Sequence, residues 1–199
     1  LPVAYLLKAN LRVGGGQFEK MLQDDSNLTT GRLDSRFSGP TIDPLSKEAD
    51  YDPQSSAISS AYVSGFNDYV RKALHYGQDR QFKPLIPVFN YWDFKHQQPN
   101  APFSLPALPN VLPDLARAMK TNPNLKILLL GGYFDIATPY FQGLYEMRHL
   151  PIPQNLQANI SYHYYASGHM VYANEDALKQ MHGHVADFIK STDNVTAAK

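Results

Sequence analysis

Two short apolar runs in the last third of the chain constrain its architecture most. KILLL (126–130) leads into a glycine-marked loop, GGYFDIAT, and then a helical pattern from Pro139 with Thr138 placed to cap it. NISYHYY (159–165) leads into ASGHMVY and a second helical pattern over about 175–190, with Asn174 as its cap. Strand, helix, strand, helix, with a first strand apolar almost throughout, is the pattern of parallel strands joined by crossover helices and covered on both faces. The expected fold class is α/β, and no internal repeat interrupts it.

In parallel sheets, ligands and reacting groups gather where the strands end at their carboxyl side. Asp135 lies four residues past KILLL, and His169 lies four past Tyr165. Adjacent parallel strands would set these two loops side by side, with Gly131, Gly132 and Gly168 easing the turns. A carboxylate bonded to one imidazole nitrogen fixes the tautomer and steadies the imidazolium, while the other nitrogen takes a proton from a nucleophile. Singly, each residue has an ordinary reading. Such an Asp is often a turn or helix cap, and such a His a hydrogen-bonded surface residue. Together, acid before histidine, they follow the chain order of hydrolases in which a serine precedes both in a G-x-S-x-G turn. That turn is missing. Ser64 (YVSGF) falls within a helical pattern, Ser38 (RFSGP) follows no strand, and Ser167 is too close to His169.

Upstream, residues 1–25 read as two short helices split by Gly14, Gly15 and Gly16. The tract 29–53 reads as a loop rich in Gly, Pro, Asp and Ser. A helix follows, capped by Asp52 with Pro53 at its first position, and Ile58, Tyr62, Phe66, Tyr69, Val70 and Leu74 fall near helical spacing on one face. PLIPVFNYW (84–92) reads as a strand or extended segment, and VLPDLARAMK as a helix ending before Asn122-Pro123.

The 199 residues are 43% hydrophobic, enough for one sizeable core. With 18 basic and 18 acidic side chains, the balance calls for neither nucleic acid nor a charged membrane surface. No run of ~20 apolar residues spans a bilayer. The absence of cysteine excludes disulfides, thiolate catalysis and cysteine zinc sites. The chain opens on a helical pattern without an initiator methionine, as a cut within a longer protein would.

KILLLGGYFDIATPYF with SYHYYASGHMVY resembles the C-terminal part of the serine carboxypeptidases, the S10 peptidase family. AYLLKANLRV, GRLDSRFSGP and DYDP resemble its bacterial branch, so that the likeness runs over nearly the whole chain. The resemblance implies an α/β-hydrolase fold, a parallel-rich sheet flanked by helices, with a helical insertion over the active site. It implies removal of C-terminal residues from peptide substrates through an acyl-enzyme. Asp135 matches the family's triad acid, His169 its general base, and Met170 a residue walling the pocket for the leaving residue; an ordinary core Met is the alternative. The resemblance implies no cofactor and favours a periplasmic or secreted setting. Family members are about twice this length, so the nucleophile serine and the oxyanion hole are expected in an N-terminal half outside this chain. Residues 1–52 would be the remnant of the cap insertion and its connecting loop, and 53–199 the C-terminal half of the core.

Other readings carry less. His182 and His184 sit two apart in a helical pattern, about 200° from each other, and cannot easily chelate one metal ion. The alternative to the carboxypeptidase is a non-catalytic binding domain or a serine-less relative. Tyr91, Trp92 and HQQPNAPF suit either a substrate cleft or, preferably, a packed aromatic cluster beneath a loop. Arg32, Asp34 and Arg36 suggest structural ion pairs. Three N-x-S/T patterns, at Asn27, Asn159 and Asn194, are expected to carry no meaning, and Asn159 opens a strand.

Overall fold

The computed structural model describes residues 1–104 and 109–193 and divides into two compact units, 1–93 and 94–199. The sequon at Asn194 lies outside the described residues.

In the first unit, α1 (Val3–Lys8) and α2 (Gly15–Met21) precede a short antiparallel pair, β1 (Leu28–Thr30) and β2 (Ser38–Pro40), in register from Leu28 opposite Pro40 to Thr30 opposite Ser38. The tract read as loop thus holds two strands. Their connection is pinned by Asp34, a buried carboxylate that accepts from Arg36 Nε at 2.9 Å and Arg36 Nη2 at 2.6 Å. This bidentate bond raises the Arg36 pKa. Arg32 does not join the fork; its backbone N–H donates to Asp52 instead.

Asp52 caps α3 (Pro53–Asp68) by accepting from Gln54 N at 3.0 Å, and it also accepts from Arg32 N at 3.1 Å. Tyr51 donates its hydroxyl to the Pro40 carbonyl. These bonds tie α3 to the residues before it, and the compact units part at Asp93–Phe94. The apolar face of α3 and of the π-helical turn that continues it, Tyr69–Ala73, is not core: Tyr62 and Phe66 of α3, Tyr69 of the turn and Leu74 just past it are exposed, and only Pro53 and Gln54 of α3 are buried. The 84–92 segment forms no strand. Pro84 and Pro87 lack a ladder donor, and the chain turns in a short 3₁₀ helix, Val88–Tyr91. Tyr91 and Trp92 stand exposed, which overturns the packed aromatic cluster.

In the second unit, α4 (Leu112–Thr121) leads to β3 (Ile127–Gly132), α5 (Tyr140–Arg148), α6 (Gln154–Gln157), β4 (Ile160–Tyr165) and α7 (Glu175–Thr192). Strands β3 and β4 are parallel, from Ile127 opposite Ile160 to Gly132 opposite Tyr165. The period of two assigns their faces. Ile160 and Tyr162 meet a core of Ala116, Met119, Leu150 and Leu156 from α4 to α6. On the other face His163 and Tyr165 meet His184 of α7, and Leu130 packs with Tyr165, Val171 and Ala177. Helices therefore cover both faces of the parallel pair.

Asn159 fixes the start of both strands, donating to the Pro123 carbonyl at 2.7 Å and accepting from Lys126 Nζ at 2.5 Å. Asn174 caps α7 through the Ala177 N–H, as its position in the sequence suggests. Thr138 does not cap α5, whose N-cap is Pro139. Among the described residues, no helix is long and apolar enough to cross a membrane.

Candidate functional site

Asp135 and His169 meet at the carboxyl ends of β3 and β4. The junction depends on one close approach. A Cβ on Gly132 would lie 2.2 Å from the Gly168 carbonyl oxygen and 2.3 Å from that of Ser167, so only glycine lets the acid loop touch the histidine loop. Tyr133 N–H bonds the Tyr165 carbonyl at 3.0 Å, and Phe134 N–H bonds that of Ser167 at 3.1 Å. Gly168 itself does not use left-handed backbone; among the described glycines only Gly77 does.

The Asp135 side chain is 5% exposed and the His169 ring 44%. His169 Nδ1 lies 2.9 Å from Asp135 Oδ2. Thr138 completes the set: its N–H donates to Oδ1 at 2.9 Å and its hydroxyl to Oδ2 at 2.6 Å. Thr138 Oγ1 also lies 3.2 Å from His169 Nδ1. Because that hydroxyl gives its proton to the carboxylate, Nδ1 faces two acceptors and carries the ring proton. The lone pair of the neutral ring is then on Nε2, which has no hydrogen-bond partner among the described residues. Such an arrangement can accept a proton at Nε2 while the buried carboxylate steadies the charge.

The pair borders a cleft of about 440 Å³ beside β3 and the start of α5. Tyr140 and Tyr164 form one wall, with ring centroids 5.4 Å apart, and Tyr133 lies against both, at 5.1 and 5.7 Å. Burial raises the Tyr164 pKa, with smaller opposing and reinforcing charges around it, and keeps the phenol neutral. Met170 is half-buried and is not part of the cleft lining; Val171 is.

The candidate serines fall elsewhere. Ser64 is exposed in α3, and Ser38 opens β2. Ser167 is buried, its hydroxyl directed at the carbonyls of Met170 and Val171. His184 stacks on His163 with centroids 3.8 Å apart, while His182 is exposed. Among the described residues no three His, Asp or Glu side chains converge to hold a metal ion. Thr138 is the residue that sequence reading missed. Its signal is the D-x-x-T spacing, which suits a side chain reaching back over a turn.

The fold is mixed helix and strand, with one small parallel and one small antiparallel pair. No protein-family model, curated protein or solved structure matches the chain.

Proposed function

We propose that this chain is the acid-and-base portion of a serine carboxypeptidase of the S10 type, with an α/β-hydrolase core. Asp135 is the triad acid, His169 the general base, and the nucleophile serine and oxyanion hole lie outside the chain. The observation that carries this reading is the 2.9 Å bond from His169 Nδ1 to buried Asp135 at the ends of adjacent parallel strands, with Nε2 left open. In the reaction, Nε2 takes the serine proton as the hydroxyl attacks the scissile carbonyl. The same nitrogen returns it to the leaving amine, and water then repeats the cycle on the acyl-enzyme. Thr138 holds the carboxylate through both steps. Alone, the chain should show no useful peptide hydrolysis, since the nucleophile and oxyanion hole supply most of the rate.

A second reading is a non-catalytic binding domain that keeps the pair as ancestry. It is favoured by one observation: no serine or threonine hydroxyl among the described residues meets Nε2. Intact mass analysis of the purified sample, native and denatured, with a fluorophosphonate probe, separates the two. A co-purifying chain whose serine is labelled supports the peptidase. A lone unlabelled 22.4 kDa species, inert even when an N-terminal half is supplied, overturns it.

A further inference from the structure

The first unit holds a second cavity, of about 430 Å³, where the chain leaves α3. The helix ends in the π-helical turn Tyr69–Ala73, a form that recurs at functional sites. The chain then folds back over that turn. Tyr76 N–H bonds the Val70 carbonyl at 3.1 Å, and Arg80 N–H bonds that of Gly77 at 3.2 Å. His75 (φ 50°) and Gly77 (φ 66°) take left-handed backbone to make the reversal, a strained choice for the histidine. Two side chains lock it: Arg71 Nη2 donates to the Arg80 carbonyl at 2.8 Å, and Gln78 Nε2 donates to that of Arg71 at 2.7 Å. The cavity is therefore built by the backbone of a single unit.

Its lining divides by chemistry. Phe66, Val70, Leu74 and Phe82 supply the apolar part, with the two phenylalanine rings 5.1 Å apart. Arg71, Arg80 and Lys83 supply the charge, and no Asp or Glu lines the cavity. Asp68, on the same helix, is engaged by Lys72, and neither it nor Asp79 reaches the lining. Arg80 and Lys83 make no ion pair among the described residues. Three cations around one apolar hollow focus a positive field into it. A plain hydrocarbon body needs no hydrogen bond from such walls, whereas a ligand polar along its length would leave groups unpaired.

We propose that this cavity is a binding site for a free anionic amphiphile, a medium-chain fatty carboxylate. The alkyl chain lies against Phe66, Leu74 and Phe82, and the carboxylate meets Arg80 and Lys83. The site belongs to the first unit and does not rest on the carboxypeptidase reading.

The test is a nuclear magnetic resonance titration of the full 199-residue chain with octanoate, 1-octanol and octylammonium, each kept below its micelle concentration. The three share a chain and differ in charge. Octanoate should give saturable shifts at Phe66, Leu74 and Phe82, with an affinity about tenfold above that of octanol, the worth of one charge-assisted contact. Octylammonium should bind weakest. The double variant Arg80→Gln with Lys83→Gln should bring octanoate down to octanol; Arg71 is left in place because it locks the loop. Equal wild-type affinities for octanoate and octanol overturn the proposal without any variant. So does an octanoate affinity that the double variant leaves unchanged. A chain that pellets with phosphatidylglycerol vesicles yet shows no saturable octanoate shifts has a membrane-binding surface here and not a pocket, which also overturns it.

Discussion

At the scale of single residues, the site is held by groups with no slack. Gly132 has none at all: the added methyl of Gly132→Ala would overlap two carbonyl oxygens. The loops must part to admit it, and a loss of about 1–3 kcal/mol is expected, as for overpacking generally. Chemical denaturation reads the loss, and the His169 ring resonances should move with it; unchanged stability and unchanged resonances would refute the close approach. Tyr162 presents the opposite case. Its hydroxyl is buried without a hydrogen-bond partner among the described residues, and burial raises its pKa. Tyr162→Phe removes an unsatisfied donor while keeping the ring in the core. The melting temperature should stay level or rise, by up to the equivalent of about 1 kcal/mol. A clear fall would mean the hydroxyl has a partner in solution. Asp135 and His169 were legible in the sequence because strand ends and chain order locate them without coordinates. Thr138 was not: its hydroxyl looked like a helix cap until the fold set Asp135 within its reach, and the carboxylate is the stronger acceptor.

At the scale of elements, what was legible had both period and punctuation. Asn174 before an amphipathic run fixed the start of α7, and KILLL and NISYHYY fixed β3 and β4. The 84–92 segment was apolar enough for a strand but carries two prolines, and backbone donors decide such cases. Helix α7 meets β4 through the stacked rings of His163 and His184, the latter accepting or donating at Tyr165 Oη, 3.1 Å away. Burial, with the neighbouring imidazole adding to it, lowers the His163 pKa below its usual 6.5. The unfolded chain therefore binds a proton at this residue over a range where the folded chain refuses it. By linkage, the stabilisation from the neutral stack is whole above about pH 6.5 and drains away as pH falls below that value. Hydrogen exchange should show α7 amides losing protection between neutral pH and about pH 5, with His163→Phe flattening the profile. A wild-type profile already flat across that range would exclude the stack as the cause.

At the scale of the whole molecule, the decisive feature is how little the parallel pair is enclosed along its edges. Helices cover both faces, yet β3 and β4 have only each other as strand neighbours among the described residues. Each outer edge presents alternate N–H and C=O groups, and neither strand carries a Lys, Arg, Asp or Glu within its bounds to discourage pairing. Two-stranded sheets are marginal alone, and natural proteins cover or blunt such edges. In the first unit, the exposed aromatic face of α3 and the exposed Tyr91 and Trp92 add apolar surface of the kind that partners cover. This was invisible to pattern reading, because the sequence shows which residues can form a strand and not how many strands will stand beside it. The expectation is that the isolated chain associates with itself or with a partner as its concentration rises through the micromolar range. Sedimentation velocity across a dilution series measures this directly. A mass-average that climbs with concentration, and returns to the monomer when a strand-forming partner segment is added, would identify the open edges as the cause. A single 22.4 kDa monomer at every concentration, melting in one cooperative step, would mean that the faces supplied by α4 to α7 suffice and that the edges need no further strand.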